Sequence, residues 1–111
     1  MKEQTTGSLL RIFLGESDRY KGEPLYEAIV LKAKEQKLAG ATVLRGLMGF
    51  GANSQLHTAK ILRLSENLPM VVEIVDEQEK IDAFMPHVDA MISEGLVTLE
   101  QVQIYRYRND D

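Results

Sequence analysis

The chain contains no cysteine, which excludes disulfides and thiolate metal sites and fits a reducing compartment. No apolar run approaches the roughly 20 residues that span a bilayer. The opening segment, Met1-Lys2-Glu3-Gln4-Thr5-Thr6, lacks the apolar stretch of a signal peptide. These absences predict a cytoplasmic protein with no direct membrane insertion. There is no repeat at solenoid spacing and no low-complexity tract. Basic residues are outnumbered, 13 against 17 acidic, and the net charge of −4 argues against a general nucleic-acid binder. No nucleophile has an obvious base beside it, so the chain is not read as an enzyme. Its two histidines, His57 and His87, lie thirty residues apart without a clear carboxylate partner, and no metal is assigned.

What is present is enough for one folded domain: 111 residues, 44% of them hydrophobic. Residues 1–6 read as a flexible tail, 7–108 as a single domain and 109–111 as a polar end. Ser8 to Gly15 alternates, with Leu10, Ile12 and Leu14 on one face and Leu9, Arg11 and Phe13 on the other. That pattern predicts a central strand. Glu16 to Gly22 is a polar connection. Pro24 suits the first turn of a helix, along which Leu25, Tyr26, Ile29, Val30 and Ala33 form an apolar stripe. Gly40 is placed to take the left-handed conformation past the helix end.

A second strand is predicted from about Ala41 to Met48, a third from near Lys60, and an apolar strand from Met70 to Val75 after an interruption at Ser65-Glu66-Asn67-Leu68-Pro69. Asp76 and Glu79 have the spacing of a capping box. The helix that follows carries Ile81, Phe84, Met85, Val88, Met91 and Ile92 on one stripe, with Pro86 on its solvent side and Gly95 at its end. Val97 to Tyr107 is the last strand, with Gln101 as a candidate bulge. The order strand, helix, strand, strand, helix, strand predicts an α+β, ferredoxin-like βαββαβ sandwich, an antiparallel sheet with both helices on one face. The other face would expose Leu9, Phe13, Val71 and Val75, and a homo-oligomer that buries them is the simplest remedy.

Gly49-Phe50-Gly51 lies where the second strand opens into a polar loop, residues 49–59, containing Ala52, Asn53, Ser54, Gln55, Leu56, His57 and Thr58. Two readings of the glycines stand side by side. They let the chain leave a strand at positive φ, or they let backbone N–H groups approach a ligand's phosphate or ribose. Phe50, between them, should be more exposed than a core aromatic, free to stack on a base or plug a neighbouring subunit. Arg45, Lys60 and Arg63 flank the loop. They read as a solvated sheet edge or, with Arg106 and Arg108, as the lining of a basic intersubunit cleft suited to phosphate. Glu16 and Asp18 read as turn and surface-pair residues.

The chain resembles the PII signal-transduction family, and more closely its PII-like branch catalogued as domain of unknown function 190. The resemblance runs from Leu9 to Arg108. It rests on Gly40-Ala41-Thr42-Val43 leading to Gly49-Phe50-Gly51, and on Leu68-Pro69 ahead of Val71-Val72-Glu73-Ile74-Val75. Gly15-Glu16-Ser17-Asp18, Tyr20-Lys21-Gly22 and Leu44-Arg45-Gly46 are similar to that branch in particular. The resemblance implies a homotrimer and an adenine nucleotide bound between subunits near the loop base. It also implies a loop that docks on a partner, such as a membrane transporter or a metabolic enzyme. Gly49, Phe50 and Gly51 match the loop base, and Arg106 and Arg108 resemble a pair of phosphate-contacting arginines. The family's glycine-rich, lysine-bearing phosphate cradle is replaced here by Ser93-Glu94-Gly95-Leu96-Val97-Thr98-Leu99. A ligand-independent trimeric interaction module is the alternative that this departure keeps open.

Overall fold

The computed structural model describes residues 1–51, 57–58 and 67–109, the pair 57–58 by backbone alone. Among the described residues ten elements follow in order: β1 (Lys2–Gly15), β2 (Arg19–Tyr20), β3 (Glu23–Pro24), α1 (Leu25–Glu35), β4 (Ala41–Arg45), β5 (Met48–Gly49), β6 (His57–Thr58), β7 (Pro69–Glu77), α2 (Gln78–Met91) and β8 (Leu96–Tyr107). The main sheet has the order β4-β7-β1-β8 with every neighbour antiparallel. This is the ferredoxin-like arrangement expected from the pattern. Two small ladders, β2 with β3 and β5 with β6, lie outside it.

The alternation in β1 and β7 decides which face is covered. Leu10, Ile12, Met70, Val72 and Ile74 point to the helix layer and are buried with Leu25, Ile29 and Ala33 of α1 and Ile81, Phe84, Val88 and Met91 of α2. Both helices therefore press on one face. Leu9, Phe13, Val71 and Val75 stand on the other, in register as Leu9↔Val75 and Phe13↔Val71. In the middle of that open face Arg11 is gripped by Glu73 at 2.9 Å and Glu100 at 2.6 Å.

Several boundaries differ from the sequence expectation. Residues 2–6 are not a loose tail: they continue β1 and pair with β8 from Lys2↔Tyr107 to Thr6↔Gln103. This stretch outruns β7, so it forms a two-stranded arm that needs little apolar content. Backbone pairing holds it, helped by the Lys2 ammonium over the rings of Tyr105 and Tyr107. Gln101 is not a bulge. It pairs with Ser8 in a register that runs unbroken from Lys2 to Phe13. β4 stops at Arg45 rather than running to Met48: Gly46 still donates its N–H in register to the Pro69 carbonyl at 2.7 Å, but Pro69 has no N–H to return, and the ladder ends there.

Helix ends are also solved differently. Lys37, not Gly40, takes the left-handed conformation after α1, with φ 62°. The N–H groups of Lys37 and Leu38 then close onto the carbonyls of Lys34 and Ala33, a Schellman motif. Asp76 does not cap α2, whose N-cap is Glu77 without a side-chain bond. Asp76 is buried instead, where it serves another network. Pro24 precedes α1 as its N-cap rather than lying inside it, and Pro86 sits exposed inside α2. The expected strand start at Lys60 and the segment 61–66 lie outside the described residues, as do Asp110 and Asp111. Among the described residues no helix is long and apolar enough to cross a membrane.

Candidate functional site

The triplet Gly49-Phe50-Gly51 leaves the sheet beside the end of β1. Its position is set by Pro69. A Cβ on Gly46 would lie 2.8 Å from Pro69 Cγ, and one on Gly49 3.1 Å from the same atom. These glycines are needed for close approach. Neither Gly49 nor Gly51 has positive φ, so the turn-chemistry reading is corrected on that point. Gly51 has nothing within 4 Å of an added Cβ. Met48 and Gly49 pair with Thr58 and His57, which closes the loop base as a short ladder. Ala52, Asn53, Ser54, Gln55 and Leu56, and the side chains of His57 and Thr58, lie outside the described residues. Phe50 is 71% exposed, as expected for an aromatic outside the core.

Below the triplet is a cavity of about 540 Å³. Phe13, Leu14, Pro69, Met70 and Leu96 give it apolar walls, and Asp18, Asn67 and Glu94 supply its polar side chains. Two of these three are already engaged. Asp18 Oδ2 accepts the Gly15 N–H at 2.9 Å, and Asn67 Oδ1 accepts the Ser17 N–H at 2.9 Å. Asp18 thus ties the turn after β1, as the turn reading of Glu16 and Asp18 expects, while Glu16 binds Arg45. No described lysine or arginine lines the cavity. The departure seen in the sequence therefore has a spatial meaning, since Glu94 and Gly95 stand where a lysine-bearing cradle was expected.

The candidate arginines are divided. Arg45 sits near the loop base but donates to Glu16 at 3.1 Å. Arg106 and Arg108 lie at the far end of the sheet, opposite Glu3 and next to Met1. From Glu3 to Gly15 a strand covers roughly 40 Å at about 3.3 Å per residue. Within one chain the Gly49 triplet and the two arginines cannot meet. Lys60 and Arg63 lie outside the described residues.

Arg106 and Arg108 border a second concavity, about 590 Å³, with Gly40, Thr42, Glu73, Val75 and Ile104. They are not equivalent there. Arg106 reaches across β1 to bind Glu77 at 3.1 Å and Asp76 at 3.0 Å. The Glu77 hydrogen bond, foremost, raises its guanidinium above the usual value, and the nearby Asp76 charge adds to this against partial desolvation. Asp76, 1% exposed, also accepts the N–H groups of Ala39 at 2.9 Å and Glu77 at 2.7 Å. Arg106 is therefore committed to holding β7, β8 and the α1–β4 connection together. Among the described residues the Arg108 side chain, itself exposed, lies 3.1 Å from Glu3 Oε1, an oxygen that is buried and accepts no hydrogen bond.

Sequence reasoning missed this Asp76 network, Asn67, and the need for glycine at position 7. A Cβ at Gly7 would collide with Ile104 Cδ1 and the Asp76 carbonyl. A glycine inside a strand pattern is the available signal. Asp76 closing an otherwise apolar strand was the other.

Residues 7–104 match the family described as Uncharacterized ACR, domain of unknown function 190. The chain belongs to that family. It is 42% identical over 96 residues to a UPF0166 protein of Aquifex aeolicus, covering 86% of this chain and 90% of that one. A UPF0166 protein of Methanocaldococcus jannaschii is 34% identical over 99 residues, with 88% and 91% covered. Among solved structures the chain resembles CPII, a nitrogen regulatory PII-like protein from Thiomonas intermedia K12, bound to ADP, AMP and bicarbonate. The TM-score is 0.61 at 15% identity, over 92% of this chain and 91% of that one. The apo form of CPII gives 0.56 at 15% identity, over 96% and 100%. The fold is PII-like.

Proposed function

We propose that this chain is a PII-like regulator that assembles as a homotrimer, binds a small molecule between subunits and controls a protein partner through the 52–58 loop. The observation that carries this reading is the separation of its two concave surfaces. The Gly49 cavity and the Arg106/Arg108 concavity occupy opposite ends of one sheet. A contact between unlike patches is heterologous and closes into a ring when the rotation permits. Such a ring would set the first surface of one copy against the second surface of the next. It would also cover the apolar face of Leu9, Phe13, Val71 and Val75.

An adenine nucleotide is the ligand this reading favours, in keeping with the ADP and AMP bound by CPII. Binding at the loop base changes loop populations only if the ligand prefers one loop state. The chain is a binding protein rather than an enzyme on this reading. The partner would be a metabolic enzyme or a membrane transporter. Equilibrium titration with a nucleotide panel tests the proposal, and absence of binding at millimolar concentration rejects the nucleotide version. A pull-down that is lost on deleting Ala52–His57 but ignores nucleotides would favour the ligand-independent module, which binds through multivalency.

A further inference from the structure

We infer that the row of Glu73, Arg11 and Glu100 across the open sheet face couples association between copies of this chain to proton uptake. This rests on the homo-oligomer of the proposed function and goes beyond it. The row crosses three strands in the middle of the sheet. Arg11 Nε lies 2.9 Å from Glu73 and its Nη1 2.6 Å from Glu100, so one cation stands between two carboxylates. Leu9, Phe13, Val71 and Val75 flank the row, with Leu44 and Leu96 exposed further out on the same face. A sheet face with apolar residues around a charged row fits a second face of the same kind, since stacked sheets pack through their apolar sides.

The charges on this face do not balance. Hydrogen bonds from Glu73, and then Glu100, raise the Arg11 guanidinium above its usual value, so it stays charged. The row therefore carries one negative charge in excess. No neighbour on the sheet removes it. β4 sets Thr42 beside Glu73. Glu77 lies four residues further along β7, roughly 13 Å away, and is paired with Arg106, which also holds Asp76. Arg108 lies against Glu3. The register places no other described lysine or arginine on this face. A second copy docked here brings the same excess and no cation to meet it. Rotation about an axis repeats the row, so like charge accumulates while water is removed. Both effects favour the neutral carboxylic acid. A carboxyl group raised in this way strengthens association fully below its value in the separate chain. That contribution is lost as pH rises through the raised value. A basic partner protein would give the opposite dependence, because it needs the carboxylate ionised.

The test is sedimentation velocity over a dilution series of the full chain at about pH 7.5 and about pH 5.5, in wild type, Glu100→Gln, Arg11→Met and Asp89→Asn. Glu100→Gln copies the neutral acid at an exposed strand position. Asp89→Asn makes the same change of net charge on the exposed side of α2, in the layer on the other face. Circular dichroism checks each fold, and Glu73→Gln replaces Glu100→Gln if that variant does not fold. Wild type should associate at least about threefold more weakly at the higher pH, within a limit of about tenfold per pH unit for each proton bound. Glu100→Gln should associate more tightly than wild type at the higher pH and lose most of the pH dependence. Arg11→Met should associate more weakly there and depend on pH more steeply. Asp89→Asn should follow wild type. Equal association of wild type at both pH values, or tighter association at the higher one, overturns the inference. So does a Glu100→Gln variant no tighter than Asp89→Asn at the higher pH. In these cases the homo-oligomer of the proposed function stands. If all variants and wild type keep the mass of a single chain at both pH values, the homo-oligomer and this inference fall together.

Discussion

Replacing Arg106 with alanine should destabilise the fold far more than replacing Arg108, although the two look alike in sequence. Arg106 is the cation facing Asp76, whose side chain is 1% exposed, and its own side chain is 23% exposed. Removing one partner of a fully buried ion pair costs about 3–5 kcal/mol, mostly because a buried charge is left uncompensated. Two features reduce the figure. Asp76 keeps the Ala39 and Glu77 N–H donors, and water can follow the deleted side chain through the partly exposed edge. We expect about 2–3 kcal/mol for Arg106→Ala, against about 0–1 kcal/mol for Arg108→Ala, an exposed pair. In urea, with m of about 1–2 kcal/mol/M for a domain this size, the Arg106 midpoint should fall by roughly 1–3 M. Both variants must be unfolded at one fixed protein concentration, because self-association shifts the midpoint. Adding Asp76→Asn to Arg106→Ala should recover part of the loss, since the orphaned charge is then gone. A loss below about 0.5 kcal/mol for Arg106→Ala, or costs that simply add in the double variant, would refute this structural role of Arg106 and return it to the pool of free ligand groups.

Other perturbations follow from single contacts. Lys37→Gly should stabilise by about 0.5–1 kcal/mol, because glycine adopts the left-handed position of the Schellman motif without steric cost, measured by chemical denaturation. Gly7→Ala should destabilise by about 2 kcal/mol or more and loosen the β1–β8 arm, seen as faster amide exchange at Lys2–Thr6. Leu9→Asp on the open sheet face should lower the assembled mass in light scattering without changing the circular dichroism of the subunit. Lys32→Ala should move the Glu35 titration upward in an NMR pH series. Hydrogen bonding and charge from Lys32 now hold Glu35 below its ordinary range, so the pair's contribution is present above that range and lost as pH falls through the lowered value.

The fold was legible because two periodicities agree with each other. Leu10, Ile12 and Leu14 on β1 and Met70, Val72 and Ile74 on β7 alternate with period two, and each helix carries one apolar stripe to meet them. What failed were features set by partners distant in sequence. Lys2–Thr6 looks like a tail when read locally and becomes a strand only because β8 supplies a polar edge of matching length. Gly40 looks like the helix stop, but Lys37 takes that position because the bonds to Lys34 and Ala33 complete the Schellman motif there. Asp76 fits a capping box by spacing. Beside the adjacent Glu77 N–H, its partners are Ala39 and Arg106, 37 and 30 residues away and beyond any local pattern.

The candidate site shows the same limit in a way that bears on function. Composition pointed to Gly49-Phe50-Gly51 and to a group of arginines, and all of these residue types suit a phosphate-bearing ligand. Chain geometry then separates them. The triplet lies over an apolar cavity lined by Glu94, Arg45 beside the loop base is paired with Glu16, and Arg106 and Arg108 lie a strand's length away, Arg106 neutralised by a buried carboxylate. A single chain therefore carries two separate concave surfaces, half-sites on the proposed reading, rather than one basic cleft. If ligand binding requires both halves, affinity must depend on assembly. A variant that dissociates the copies, such as Leu9→Asp, should then lose nucleotide binding while leaving every residue of both half-sites in place. Retained affinity in the dissociated chain would show that one half-site suffices, and would remove the reason to join them.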